Sequence, residues 1–209
     1  MEKLFAALSE IHPLSSAHVN YLKETVIEER FTKNQILISE GRIIDRLYFI
    51  KEGFASGYFY NNNKKVTSIF WNQGHFILLI PGFLRQKPSS EYVELLEDSK
   101  LLSISYKQFL EVLELFPEAN YIIRTIIEEY EIHHEKRVKD LITLTAFEKY
   151  KQLLETSPIV FQKAPLISIA SYLGISPETI SRLRAKKHKL LLWMLMSVEY
   201  FFDSCQFVF

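Results

Sequence analysis

The segment Leu166–Arg184 reads LISIASYLGISPETISRLR and decides the fold of the C-terminal part of the chain. Gly174 stands where a helix would end, because glycine adopts the positive φ of a helix C-terminus without strain. Ser176 and Pro177 then have the preferences of an N-cap and of the first position of a new helix. The spacing predicts two short helices joined by a tight turn, which is a helix–turn–helix.

The second helix of this motif is predicted to present a polar face to a DNA major groove. Side chains on that face can bond base edges, and the basic stretch that follows can bond phosphates. The candidate DNA-binding residues are Ser176, Glu178, Thr179, Ser181, Arg182, Arg184, Lys186 and Lys187. The alternative is a buried helical hairpin with a solvated, charged end.

Charge is unevenly distributed along the chain. The 25 Lys and Arg balance the 25 Asp and Glu, so the formal net charge is zero. Residues 138–189 nevertheless hold 9 Lys and Arg against 4 Asp and Glu, a surplus of five. A basic segment inside a neutral chain indicates an anionic partner for that segment alone.

Short strands are expected in the first half of the chain, where five of the six glycines lie between residues 41 and 82. Apolar runs separated by turn residues predict strands whose spacing leaves no room for helices between them. The predicted strands cover 35–38, 47–50, 55–60, 66–71, 92–96 and 101–104. This pattern is typical of an antiparallel sandwich or barrel.

Helical periodicity follows the strands. A helix is predicted over 106–115, a long one from Pro117 to about Arg137, and another over about 143–155. The long helix carries an apolar stripe at near-heptad spacing. On periodicity alone, this stripe either packs on its own domain or forms a dimer seam. The candidate seam residues are Ile123, Ile126 and Tyr130.

Composition excludes several classes of site. The single cysteine, Cys205, allows no internal disulfide and no cysteine cluster for a metal. His75 is the one histidine of the strand region, and a metal site needs several ligands, so we expect no metal site and no cofactor. We expect His75 itself at the surface or in a turn. The first thirteen residues carry charges and no apolar run, so we expect no signal peptide and no membrane association, and the cytoplasm as compartment.

The chain resembles the Crp/Fnr family of bacterial transcription regulators, and in particular its short members from Bacteroidetes. The resemblance rests on EGRIIDRLYFIKEGFASGYF (40–59), SYKQFLEVLELFPE (105–118) and TAFEKYKQLLETSP (145–158), with the helix–turn–helix after them. It implies an α+β fold with an N-terminal antiparallel β-roll like a cyclic-nucleotide-binding domain, a long dimerisation helix and a C-terminal, winged-helix-like helix–turn–helix domain. It also implies a homodimer that binds a two-fold symmetric duplex DNA operator, favours the seam interpretation, and makes RNA polymerase a further candidate partner.

Departures from the family pattern concern the effector site and the base-reading helix. The family's ribose-binding Glu aligns with Leu79 and its phosphate-binding Arg with Ser89, so no cyclic AMP binding is expected. Arg85 and Lys87 lie nearby as possible replacements for that Arg. The base-reading positions map onto Pro177, Glu178 and Arg182, and Pro177 removes one guanine contact. The candidate effector-pocket residues are Phe59, Trp71, Phe76, Leu78, Leu79, Arg85 and Ser89.

The expected domains are a β-roll sensor with flanking helices (1–116), a dimerisation helix (117–140), a DNA-binding domain (141–189) and an atypical apolar tail (190–209). The sensor either binds an apolar ligand or is filled by its own side chains. The tail is a hairpin, a helix extension or the product of an aberrant reading frame. Two other functions stay open: an interaction module that has lost DNA binding, and an enzyme built on the barrel, which the sparse histidine disfavours.

Overall fold

The structure is a computed structural model that describes residues 1–185. It has the α+β architecture expected from the sequence. In chain order its elements are α1 (Glu2–Ile11), α2 (Ser16–Thr25), β1 (Ile27–Phe31), β2 (Ile36–Ile38), β3 (Arg46–Glu52), β4 (Phe54–Asn61), β5 (Lys64–Asn72), β6 (Phe76–Ile77), α3 (Ile80–Leu84), β7 (Tyr92–Leu95), β8 (Ser99–Ser105), α4 (Tyr106–Leu115), α5 (Pro117–Thr143), α6 (Ala146–Thr156), α7 (Pro158–Lys163), α8 (Leu166–Leu173) and the helical segment α9 (177–185).

Two four-stranded antiparallel sheets form the β-roll. The first has the strand order β1-β8-β3-β6 and the second the order β2-β7-β4-β5, which leaves β5 at an edge. The six strands predicted from the sequence correspond to β2, β3, β4, β5, β7 and β8. The sequence does not predict β1, because its residues read IEERF with little apolar alternation, or β6, which has two residues.

The core of the roll lies between the two sheets. Ile50, Leu95 and Leu101 are fully buried there, and Trp71 closes it from β5. Each fully buried aliphatic side chain stabilises the fold by about 1.5–3 kcal/mol through removal of apolar surface from water. The sheets are therefore held by apolar packing as well as by their hydrogen-bond ladders.

A helical layer covers the outer face of the first sheet. Helices α1 and α2, expected from the sequence only as flanking helices without bounds, pack with α4 and the start of α5 against β3 and β8. Ser15 caps α2, since its Oγ accepts from the His18 amide at 3.2 Å. Ser105 and Gln108 form a capping box at the start of α4. These contacts attach the first half of α5 to the roll.

The long helix runs further than predicted. It continues to Thr143, three residues beyond the expected boundary at 140 and six beyond Arg137. The Thr143 hydroxyl donates to Lys139 O within this helix, whereas Thr145 and Glu148 form the capping box of α6. Helix α6 therefore begins at Ala146 rather than near 143.

The C-terminal helices α6 to α9 share one apolar core. Its buried residues from these helices are Tyr150, Leu153, Val160, Ile169, Ala170, Leu173 and Ile180. The sequence does not predict α7, because Pro158 looks like a helix stop although it stands at the first position of a new helix. Within residues 1–185, no helix combines the length and apolar character that a membrane span requires.

Candidate nucleic-acid interface and effector cavity

The two helices and the turn predicted for Leu166–Arg184 are present. Helix α8 ends at Leu173, and Gly174 has a φ of +63°, in the left-handed region where glycine is favoured. A Cβ at Gly174 would also lie 3.4 Å from Leu141 Cδ2 of α5, so the turn passes close to the long helix. The Ile175 amide donates to Ala170 O, which completes the C-terminal cap.

The start of α9 is held by its cap. Ser176 Oγ accepts from the Thr179 amide at 3.2 Å, and Pro177 occupies the first helical position. An N-cap serine of this kind typically contributes about 1 kcal/mol. Glu178 follows, and its pKa is lowered, first by a hydrogen bond with the Ser176 side chain. The beginning of the helix is therefore ordered and negatively charged at neutral pH.

Three of the candidate DNA contacts share the exposed face of α9. Glu178, Ser181 and Arg182 are all exposed, and residues three or four apart lie on the same side of a helix. Thr179 is half-buried, and its Oγ1 accepts from Arg182 Nη2 at 3.2 Å. Thr179 therefore positions the arginine instead of facing outward itself.

The remaining candidates lie elsewhere. The exposed Arg184 has its guanidinium over the Phe161 ring of α7, 5.6 Å from the centroid, at the flank of the reading face. Lys186 and Lys187 lie outside the described residues, as does the tail 190–209 with its three interpretations.

Helix α8 docks on the open edge of strand β5. The Thr67 amide donates to Ser171 Oγ at 2.9 Å, and Ser171 Oγ in turn donates to Lys65 O at 3.3 Å. Arg137 of α5 donates from Nη2 to Thr67 O at 3.3 Å and to Tyr172 O at 3.0 Å. Because alternate residues of an edge strand point their backbone groups outward, Lys65 and Thr67 can both be used here.

An aromatic layer supports this junction. The Phe70 ring of β5 lies 5.7 Å from Phe54 and 5.2 Å from Tyr172 of α8, between ring centroids. The Arg137 guanidinium stands 4.1 Å from the centroid of the Tyr172 ring, a cation–π contact. Lys163 of α7 pairs with Glu97 in the turn before β8. The long helix, the roll and α8 therefore meet at one partly buried junction.

The predicted effector residues do not form one pocket. Leu78, Leu79 and Ser89 line a cavity of about 360 Å³ between the roll and α5. Trp71 and Phe76 line a different cavity, of about 630 Å³, on the other side of α5. Neither cavity is lined by the two remaining candidates: Phe59 pairs with Val66 in the β4–β5 hairpin, and Arg85 is exposed at the end of α3. Alignment with the family and apolar character group these residues in the sequence, whereas the structure places them in two cavities and at two other positions.

Ser89, which lines the 360 Å³ cavity, holds its own loop together through hydrogen bonds. Its side chain is buried, with Oγ donating to Glu91 O at 2.8 Å and accepting from the Glu91 amide at 3.2 Å. Its backbone pairs with Arg42 and with Gly41. The hydroxyl is therefore engaged within its own loop.

The charges around this cavity are mainly acidic. Glu91 of the roll and Glu131 of α5 line it, together with Lys87 and His134. Ser68 donates to the Glu91 carboxylate from β5. Two carboxylates against one lysine make the lining unfavourable for an anion.

The inward stripe of α5 packs on its own chain. Ile123, Ile126 and Tyr130 are half-buried against the roll core. Their assignment to a dimer seam stays a prediction, because heptad-like spacing identifies an apolar face and the roll covers these side chains only in part. The apolar side chains that α5 leaves exposed lie on other sides of the helix, and they are Tyr121, Ile132, Val138 and Ile142.

Sequence reasoning missed the docking residues. Arg137, Ser171 and Thr67 carry no local motif, and they come together only through pairing of β5 at the sheet edge. The contact between Phe70 and Tyr172 could not be predicted either, because the two residues are about a hundred residues apart in the sequence.

His75 lies in the predicted turn, where its Nδ1 accepts from the Asn72 amide at 3.0 Å. Among residues 1–185, no group of three or more His, Cys, Asp or Glu side chains could hold a metal ion.

A family model matches the N-terminal half of the chain. Residues 28–115, from β1 to the end of α4, match the model of the cyclic nucleotide-binding domain. No curated protein sequence matches the chain.

Solved structures share the fold over most of the chain. FixK2 from Bradyrhizobium japonicum has a TM-score of 0.70 at 16% identity, over 79% of this chain and 85% of that one. A Eubacterium rectale structure assigned to the Crp/Fnr family of transcriptional regulators gives 0.67 at 16%, over 84% and 85%. The c-di-GMP-responsive global regulator CLP of Xanthomonas campestris gives 0.65 at 15%, over 84% and 92%. The resemblance to the Crp/Fnr family is therefore confirmed at the level of fold.

Replacing Arg137 with Met tests the junction. The change keeps the aliphatic stem and removes both hydrogen bonds to carbonyls, so unfolding should become easier by about 1–3 kcal/mol. Hydrogen exchange at the Thr67 amide should accelerate, because docking of α8 protects it. Lys136→Met, at an exposed neighbour, is the control and should leave both quantities unchanged. Equal Thr67 exchange in the two variants would contradict the role of Arg137.

Proposed function

We propose that the protein is a homodimeric, sequence-specific DNA-binding transcriptional regulator and not an enzyme. The observation that carries the proposal is the capped helix α9, whose exposed face presents Glu178, Ser181 and Arg182 while its other face is buried. The fold shared with Crp/Fnr regulators supports it. In this proposal the chain is divided, as the sequence predicts, into a sensor, a dimerisation helix, a DNA-binding domain and a tail.

The base contacts follow from side-chain chemistry. Arg182 can donate two hydrogen bonds to guanine O6 and N7, and Glu178 can accept from cytosine N4. Pro177 has neither a side-chain donor nor an amide hydrogen, so the base pair opposite it is not read by hydrogen bonds. Lys186 and Lys187 would contact phosphates, as would Arg184 at the flank of the reading face. The operator would therefore be specified mainly through Glu178 and Arg182.

A second copy of the chain is the proposed partner of α5. Its exposed apolar residues Tyr121 and Ile132 lie on the side opposite the roll, and Ile142 lies beside them near the C-terminal helices. Two parallel α5 helices joined along this side would bury these residues. The pair would carry two copies of α9, as a two-fold symmetric operator requires.

The sensor is proposed not to respond to cyclic AMP. A cyclic phosphate needs a cation or a set of free donors once it leaves water. In the 360 Å³ cavity, Ser89 is engaged in its own loop and Leu79 offers no acceptor for ribose hydroxyls. Glu91 and Glu131 outweigh Lys87 in charge. These observations support a sensor that responds to another ligand or to none.

Arg182→Ala tests the reading face. Binding to the specific operator should weaken by about 1–3 kcal/mol, and discrimination at one base pair should be lost. Lys187→Ala should instead weaken all sequences alike and lower the salt slope by about one. Selection of bound sites from a random DNA pool supplies the operator, and fluorescence anisotropy measures both effects. Equal loss of specificity in the two variants would contradict the assigned roles.

Ile132→Glu tests the seam. A charge placed on the outer side of α5 would be buried without a partner in the dimer, so this variant should sediment as a monomer. It should also lose affinity for the operator, because a single half-site provides too few contacts. Ile36→Glu, at an exposed isoleucine on β2, should remain dimeric. A dimer in both variants would place the seam on another surface.

Titration calorimetry with cyclic AMP tests the sensor. We expect no saturable binding tighter than about 10 μM, which corresponds to roughly −7 kcal/mol. Tighter binding would overturn this part of the proposal. Lys87, which lines the cavity, would then be the phosphate receptor to replace with Met, with Arg85→Met as the control outside it.

A further inference from the structure

A further, smaller cavity lies on the other face of the first sheet, away from the 360 Å³ cavity. Its volume is about 80 Å³, and it is lined by residues of α1, α2, α4, α5 and strands β3, β6 and β8. Protein interiors contain few voids larger than a water molecule, so a space of this size is unusual in a core. No lining residue is exposed.

The walls of this cavity are almost entirely apolar. Sixteen of the eighteen lining residues are aliphatic or aromatic, among them Leu8, Phe109 and Ile122. The two others are His18 and Ser103. A cavity with such a lining stays dry and takes up apolar molecules, because water would find too few hydrogen-bond partners.

Ser103 is engaged within the protein, whereas His18 Nδ1 is buried without a hydrogen-bond partner among the described residues. Ser103 Oγ accepts from Arg46 Nε at 3.0 Å and donates to Glu29 Oε2 at 3.2 Å. The His18 ring stacks on Phe116 with 4.5 Å between centroids, and its Nδ1 lies 3.4 Å from Glu118 Oε1. Burial lowers the pKa of His18, which favours its neutral form. The lining therefore contributes mainly dispersion contacts, with the His18 ring as its one polar group not already hydrogen-bonded.

We propose that this cavity binds a small, neutral, apolar molecule, of the size of a noble-gas atom or a short hydrocarbon. A single void of this volume holds only a few heavy atoms, so larger hydrophobic ligands do not fit without displacement of α1 or α2. Charged and strongly polar molecules are disfavoured because the walls would leave them unpaired.

A molecule bound in this cavity would contact α5, the helix that also reaches the junction with α8. Ala119, Ile122, Ile123 and Ile126 of α5 form part of its wall. The same helix carries Arg137 at the junction with α8. An effect of the bound molecule on DNA binding rests on the proposed function. The binding of the molecule to the cavity does not.

Xenon is the probe for this site, because it is apolar, neutral and small enough to enter. We expect saturable ¹²⁹Xe shifts with the full-length protein in the absence of DNA. Crystals pressurised with xenon should show it in contact with Ile122. Leu113→Phe, which places a larger ring in the cavity wall, should reduce the affinity for xenon at least tenfold.

Leu110→Phe is the matched control, since it makes the same change at an exposed position of α4 and should bind xenon like the native protein. If Leu113→Phe fails to fold, Ala119→Val fills the same space from α5. Absence of saturable binding to the native protein would overturn the proposal, as would equal binding to the filled variants and the control. Because no DNA is present, either result is independent of operator recognition.

Discussion

The open edge of strand β5 is the constraint on which the arrangement of the two halves depends. An edge strand presents unpaired backbone groups, and here Thr67 and Lys65 present theirs to Ser171 and Arg137. If these groups were covered without partners, each would cost on the order of 1–3 kcal/mol. Docking of α8 therefore satisfies the edge and fixes how α9 is carried on the roll.

The same strand links the junction to the effector cavity. Thr67 binds α8, and the next two residues, Ser68 and Ile69, line the 360 Å³ cavity. A ligand that shifts β5 by a fraction of an ångström would act directly on the hydrogen bonds of the junction. The long helix gives a second connection, because Tyr130 and His134 line the cavity one to two turns from Arg137. A sensor and a reading helix can be coupled here through elements that touch both.

Local signals allowed much of the fold to be predicted. Gly174, Ser176 and Pro177 act through backbone preferences that are readable in one short segment, and the structure has the turn and the cap that they predict. Six strands follow from apolar runs between turn residues. Helices α1 and α2 were expected only as flanking helices without bounds, and α7 was missed because Pro158 had the appearance of a stop.

Nonlocal features of the site could not be predicted in the same way. The stripe at Ile123 and Ile126 was visible in the sequence, but only the folded chain shows that the roll covers it in part. The pocket residues were grouped by alignment with a family, yet Trp71 and Leu79 line different cavities. The docking roles of Arg137 and Ser171 could not be predicted, because they depend on β5 being an edge strand. That position follows only from the strand order of the folded sheet.

Salt-dependent binding to a duplex of random sequence tests the central claim, that the exposed face of α9 engages DNA, most directly. The account predicts that the logarithm of the binding constant falls linearly with the logarithm of salt concentration, with a slope of about −0.9 for each phosphate neutralised. The measurement uses the full-length protein and fluorescence anisotropy. Absence of binding to the duplex even at about 50 mM salt would contradict the account and would favour an interaction module whose helix–turn–helix no longer contacts DNA.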